Sequence, residues 1–283
     1  MESRAVRWFM RIMTWLVLAF LYLPLFIVLL YAFNKSRLST WPPDLFTVSW
    51  FTMAFHDEQV REALRNSLEA AVIATSVALL LGSLASFAVH RFRFFGRTTL
   101  SFALVLPIAL PGIVTALALS SFVDTTRVTI GLNFGLAAVI VGHATFCVVV
   151  VYNNVVARLR RTPGSLQEAS MDLGADGLQT FRYVTLPVIR TALLAGGLLA
   201  FGLSFDEIVV TKYLAGTTTT LPLWIFNNFQ RINAKPEINA VAVVVLLLSL
   251  IPVYVANRLA GEDGSGISPG KPGGAALQGG ASA

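Results

Sequence analysis

Two places in this chain carry side chains able to do chemistry. Ser204, Phe205, Asp206 and Glu207 stand together inside an otherwise apolar block, and Glu168-Ala169-Ser170 opens a polar stretch that closes at Leu186-Pro187. An ionisable group near the centre of a bilayer costs at least ~2.5–3.5 kcal/mol, so carboxylates there face an aqueous path or a partner. Adjacent carboxylates could attract an ammonium group, with the Phe205 ring adding a cation–π surface. Consecutive helical positions point about 100° apart, so at most one of Asp206 and Glu207 would face a pore squarely. The alternative pairs one carboxylate with Lys212 or another subunit, or leaves it hydrated near the outer interface. Hydrolysis is the rival chemistry. Ser204, His143 and Asp206 are the residue types of a nucleophile, base and acid, but Ser204 lacks a G-x-S-x-G setting and no spacing forces the three together.

Composition sets the elements that hold these groups. Of 283 residues, 55% are hydrophobic and 13% charged, with mean hydropathy +0.71, whereas soluble domains carry about 25% charged residues. The chain is therefore an integral membrane protein. Its net charge of +6 does not mark a nucleic-acid binder, because the arginines border apolar blocks instead of forming a basic face interleaved with aromatics. The single Cys147 excludes an internal disulfide and a cysteine-built metal site, and reads as a buried thiol.

A helix needs roughly 20 apolar residues to cross the hydrocarbon core. Six blocks qualify, near 12–33, 67–89, 99–122, 134–156, 191–211 and 239–257. The first follows Arg4, Arg7 and Arg11 and is too long for a signal peptide, so it reads as an uncleaved anchor. Most of the 21 Lys and Arg residues, Arg91, Arg93, Arg158, Arg160 and Arg161 among them, fall on inner segments if both termini are cytoplasmic. Trp41, Trp50 and Phe51 read as interfacial anchors of an outer loop. Pro107 and Pro111-Gly112 should kink the third span and place it inside the bundle. His143 reads as hydrogen-bonded to a neighbouring helix, Asn153 and Asn154 as bonding across helices, and Glu69 as hydrated near the outer surface. The expected organisation is all-α: a membrane domain over 1–260 and a disordered cytoplasmic tail over 261–283, rich in Gly, Ser and Pro. No internal repeat is evident, which weighs against an inverted-repeat carrier.

Between the fourth and fifth blocks, segment 157–190 is polar and arginine-rich. Ser165-Leu166-Gln167-Glu168 fits a capping box, Gly174 suits a left-handed helix end, and Asp176 to Gln179 fits a second box. The pattern predicts a helix, a glycine turn and a second helix that stops before Pro187. A solvated amphipathic connector is the plainer alternative.

The spacing favours more than a connector. Glu168-Ala169-Ser170, then Gly174, then Val184-Thr185-Leu186-Pro187 resembles the EAA loop of bacterial ABC importer permeases, departing by Ser170 for Ala and Val184 for Ile. Leu106 to Val114, Gly142 to Phe146 and Ser204 to Thr211 are similar to the membrane subunits of polyamine-type (spermidine/putrescine) importers. The resemblance implies a six-span permease of the bacterial inner membrane, paired with a second related permease. It also implies two ATP-binding subunits beneath and an extracytoplasmic solute-binding protein that delivers substrate. Glu168, Ala169 and Gly174, with Ser170 and Asp172, would belong to a coupling helix seated on the ATPase, and Leu186-Pro187 would end it. ATP and Mg²⁺ would be bound by the ATPase, since this chain has no G-x-x-x-x-G-K-[ST] loop, and no cofactor or metal is expected here. Related permeases carry other small solutes. An ion-coupled secondary carrier is the rival class. It would need no ATPase and would leave the doubly capped hairpin unexplained.

Overall fold

A computed structural model describes residues 4–36, 41–43, 46–131, 133–229 and 236–262; the expected tail, apart from its first two residues, lies outside them. The described chain is almost entirely helical: α1 (Arg4–Ala32), α2 (Ser49–His56), α3 (Glu58–Arg91), α4 (Arg97–Ala109), α5 (Gly112–Ile130), α6 (Leu136–Arg161), α7 (Ser165–Asp172), α8 (Gly177–Thr180), a π turn (Phe181–Thr185), α9 (Leu186–Phe205), α10 (Val209–Leu214), α11 (Leu221–Phe229) and α12 (Glu237–Glu262).

The core is the triangle of α3, α6 and α9. On α3, Ala70, Ala74, Ala78, Gly82 and Ser86 recur every fourth residue and all are buried, which puts one small-residue stripe along one face. In hydrocarbon, helices associate by close packing more than by expulsion of water, and small residues let the backbones approach. At Gly82 the approach is extreme: a Cβ there would sit 2.9 Å from Val148 O and from Val151 Cβ. Ser86 Oγ donates to Gly82 O at 2.7 Å and lies 3.1 Å from Tyr152 O, so the stripe ends in a polar clasp between α3 and α6. α9 meets α6 in the same way, with the Gly196 Cβ position 3.3 Å from Val151 Cα.

Among the described residues, four helical runs are long and apolar enough to span a bilayer: Val6–Ala32, Glu58–Arg91, Leu136–Arg161 and Gly177–Phe205. α1 packs chiefly on α12 and exposes Trp15 and Phe20, a surface suited to lipid or protein. Glu237–Pro252 is a shorter apolar helix, and α4 with α5 would make a fifth span only as a unit bent by 107°.

Three expectations need correction. The third block is more than kinked. Leu110 is extended and Pro111, which lacks an N–H, caps α5, so the chain turns sharply between two helices. α4 buries no side chain, whereas Ala116 of α5 is fully buried in the main core, so only the second half of this block lies inside the bundle. The fifth block is not one helix, since α9 stops at Phe205 and helix resumes at Val209. Trp50 is no interfacial anchor. It is buried and its indole N–H donates to Asn34 O at 2.7 Å, whereas Trp41 is exposed.

Candidate functional site

The segment after α6 folds as a compact helix–turn–helix. Leu173 ends α7; the Gly174 N–H then donates to Met171 O at 2.8 Å and the Ala175 N–H to Ser170 O at 3.1 Å, with Gly174 at φ +88°. This is a Schellman ending, and the left-handed residue it requires is the expected glycine. Asp176 then caps α8. Its Oδ1 accepts from the Leu178 and Gln179 N–H groups at 2.8 Å, while Gln179 Oε1 accepts from the Asp176 N–H at 3.0 Å. The first expected box is absent. Gly164 occupies the cap position and Ser165 already lies inside the helix, so neither Ser165 nor Glu168 caps it. Ser170 Oγ meets buried Thr180 Oγ1 at 3.1 Å and ties the two helices together.

Leu186-Pro187 does not end the second helix. The Leu186 N–H reaches back five residues to Phe181 O, a π turn, and Pro187, which has no N–H to give, follows directly on that wide turn. Gly177–Phe205 is therefore one continuous rod. The base of the hairpin is anchored by Phe181 against the Phe87 ring, centroids 5.3 Å apart, by Arg91 Nη1 to Gln167 Oε1 at 3.3 Å, and by Arg158 Nε to Val188 O at 3.0 Å. Its outer face is bare: Glu168, Ala169, Asp172 and Gly174, and Leu186 and Pro187 beyond, are exposed, as is Leu173 at 90%.

At the far end of the rod, the α9–α10 break rearranges the four candidate path residues. Phe205 is buried and stacks on Phe201, centroids 6.0 Å apart, instead of offering its face to a channel. Glu207 turns inward on the backbone, its Oε1 accepting from the Val210 N–H at 3.0 Å, so it caps α10. Asp206 alone is exposed. Lys212 pairs with neither carboxylate; its Nζ sits 4.9 Å from the Phe226 ring centroid.

Beneath the break lies a polar chain invisible in sequence. His143 Nδ1 meets Ser204 Oγ at 2.8 Å and its Nε2 meets Thr211 Oγ1 at 2.9 Å, while the Thr211 hydroxyl donates to Glu207 O at 2.8 Å. Thr211 has spent its only hydrogen, so Nε2 must donate to it and Nδ1 must accept from Ser204. The histidine thus bonds neighbouring helices, as its position suggested. Ser204 and His143 do come together, but the third partner is Thr211 and not Asp206. With both side chains buried, this is a structural clasp and not a hydrolytic triad. Cys147 is buried, its thiol 3.3 Å from Ala200 O. Glu69 is half-buried and pairs with the exposed Arg65 at 2.7 Å.

The family of binding-protein-dependent transport system inner membrane components matches residues 78–261, the stretch that holds both the hairpin and the break. The chain belongs to this family. It is a permease subunit of an ABC importer, a protein of the inner membrane. The putrescine transport system permease protein PotI of Escherichia coli K12 is 35% identical over 232 residues, 80% of this chain and 82% of that one. The spermidine/putrescine transport system permease protein PotC of the same organism is 33% identical over 249 residues, 87% and 91% of the two chains. In fold the chain is similar to a subunit of a bacterial alginate ABC transporter in complex with an alginate pentasaccharide-bound periplasmic protein. That likeness has a TM-score of 0.72 at 17% identity and covers 92% of this chain and 95% of that one.

Proposed function

We propose that this permease forms half of the translocation path of an ATP-driven polyamine importer and is driven through its helix–turn–helix. In this reading residues 1–260 are the membrane domain, spanning six times as α1, α3, the bent α4–α5 unit, α6, α9–α10 and α12, with both termini and the hairpin cytoplasmic. The arginines at the ends of α3 and α6 support that orientation. The partners are two ATP-binding subunits that hold the ATP and Mg²⁺, a second related permease and an extracytoplasmic solute-binding protein. This chain binds no cofactor.

The observation that carries the reading is a bare, well-capped hairpin continuous with a membrane rod. An ATPase can bias a conformational equilibrium only if it binds the two states with different free energy. Glu168, Ala169, Ser170, Asp172 and Gly174 would form the contact, and the rod would carry its displacement toward Asp206. Placing a non-glycine residue at the left-handed Gly174 costs about 1–2 kcal/mol. No atom crowds the new Cβ, so Gly174→Asp should leave the chain inserted while loosening the hairpin. Gly174→Asp and Glu168→Ala are expected to lower both uptake and substrate-stimulated ATP hydrolysis; normal uptake by Gly174→Asp at normal abundance would contradict the role.

Similarity to PotI and PotC supports a polyamine substrate, and Asp206 is the carboxylate free to meet an ammonium group. A hydrogen bond to a charged group is worth about 1.5–3 kcal/mol, so Asp206→Asn should cut putrescine uptake roughly ten-fold or more. Glu207→Gln keeps an acceptor for the Val210 N–H and should stay close to wild type. Radiolabelled uptake into vesicles containing the whole importer decides between them, and unchanged uptake in Asp206→Asn removes that residue from the path.

A further inference from the structure

α6 and α9 touch where Gly196 meets Val151 and Asn154. From there toward the hairpin they part, leaving an open groove of about 470 Å³. The polar groups on its walls are Asn153, Asn154, Arg158, Arg161 and Thr191, and no carboxylate among the described residues lines it. Asn154 does not bond across helices as its position suggested. Its amide donates within α6, to Val150 O at 2.9 Å, leaving its oxygen free. Arg158 is held in place by its Nε–H donating to Val188 O at 3.0 Å, which leaves its two terminal nitrogens for the groove. Arg161 and Asn153 make no hydrogen bond to the described residues, and Arg65–Glu69 is the sole ion pair among those residues, so neither groove arginine is neutralised.

A cleft between membrane helices with two unpaired guanidinium groups, two amides and a hydroxyl is a receptor for an oxyanion. Guanidinium presents planar, forked donors that match phosphate oxygens. The Asn153 carboxamide and the Thr191 hydroxyl supply further donors, and basic pockets between spans near the surface bind phospholipid headgroups. We propose that this groove binds a phosphate-type oxyanion beside the coupling hairpin, presented by an anionic lipid headgroup or by a soluble phosphate. Its volume accommodates a phosphoglycerol group, and the Arg158–Val188 bond places one wall of the site on the rod that continues the hairpin. An anion held here would brace α6 against the start of α9. The inference rests on this end of the helices lying at the bilayer surface and not on the identity of the substrate.

The test uses the assembled importer in nanodiscs of phosphatidylcholine mixed with phosphatidylglycerol, with retained phosphatidylglycerol counted by native mass spectrometry. A parallel arm titrates inorganic phosphate onto the importer in a detergent without phosphate. Arg161→Gln, which breaks no hydrogen bond among the described residues, should lower retention about five-fold, and Arg158→Gln with Arg161→Gln by that factor again. Loss of phosphatidylglycerol in the variants identifies the lipid as the source. Phosphate that binds the wild type and not the variants, with phosphatidylglycerol retention equal in all three, identifies a soluble ion. Either result supports the site. Equal retention and equal phosphate binding in wild type and both variants overturns it, whatever uptake does. Detachment of the ATPase subunits by Arg161→Gln with anion binding unchanged also overturns it, since the groove would then be a protein contact.

Discussion

Gly82→Leu is expected to remove this permease from the membrane almost completely. The Cβ alone would lie 2.9 Å from a backbone oxygen of α6, which has no rotamer through which to yield. Three further carbons force α3 and α6 apart along the whole buried stripe from Ala70 to Ser86. Overpacking a tight core costs about 1–3 kcal/mol and occasionally more. Here the upper end applies, because the crossing also carries the Ser86 clasp to Tyr152. Gly202→Ala in α9 is the matched control, as its Cβ meets nothing within 4 Å, and it should be neutral or gain up to about 1 kcal/mol. Melting temperature in detergent and abundance in isolated membranes measure both. A Gly82→Leu protein as abundant and as stable as wild type would mean that α3 and α6 do not cross at Gly82.

His143→Leu has the second-largest expected effect, and its character matters more than its size. The ring is 1% exposed and both nitrogens are bonded, so its removal strips an acceptor from the Ser204 hydroxyl and a donor from Thr211. Leaving such groups unpaired costs about 1–3 kcal/mol each. The loss should be roughly 2 kcal/mol, since the Ser204 hydroxyl can turn back to its own helix. Because all three side chains act as one clasp, His143→Leu with Ser204→Ala should cost less than the two single changes added. A structural histidine also leaves the pH dependence of uptake unaltered in whatever protein accumulates. A shifted pH profile at unchanged stability would instead make His143 a proton carrier.

The legible parts of this molecule were local. Asp176 to Gln179 and Gly174 act within a few residues of themselves, and both took the predicted geometry. Ser165 to Glu168 matched a capping pattern equally well. There Gly164 took the cap instead and Ser165 fell one position inside. Hydropathy located the apolar runs, four of which among the described residues hold a helix long enough to cross a bilayer, but could not report direction, so an unbroken apolar run hid the stop at Phe205 and the restart at Val209. A carboxylate two residues ahead of Val209 was the available cue, since Glu207 caps the new helix. The Ser204–His143–Thr211 chain joins positions 61 and 68 residues apart, and no periodicity links them. The small-residue stripe of α3 was different. Ala70, Ala74, Ala78, Gly82 and Ser86 are readable at four-residue spacing and mark the buried face without any structure.

The π turn at Phe181–Thr185 has a geometric consequence of its own. A helix with one residue too many in a turn is rotated by about 100° beyond that point relative to a regular one. The compass bearing of the Glu168 face around the axis of α9 is therefore set by a single extra residue. Switching this one turn between its wide and regular forms, with the same residues, would re-aim the proposed docking surface relative to the membrane helices.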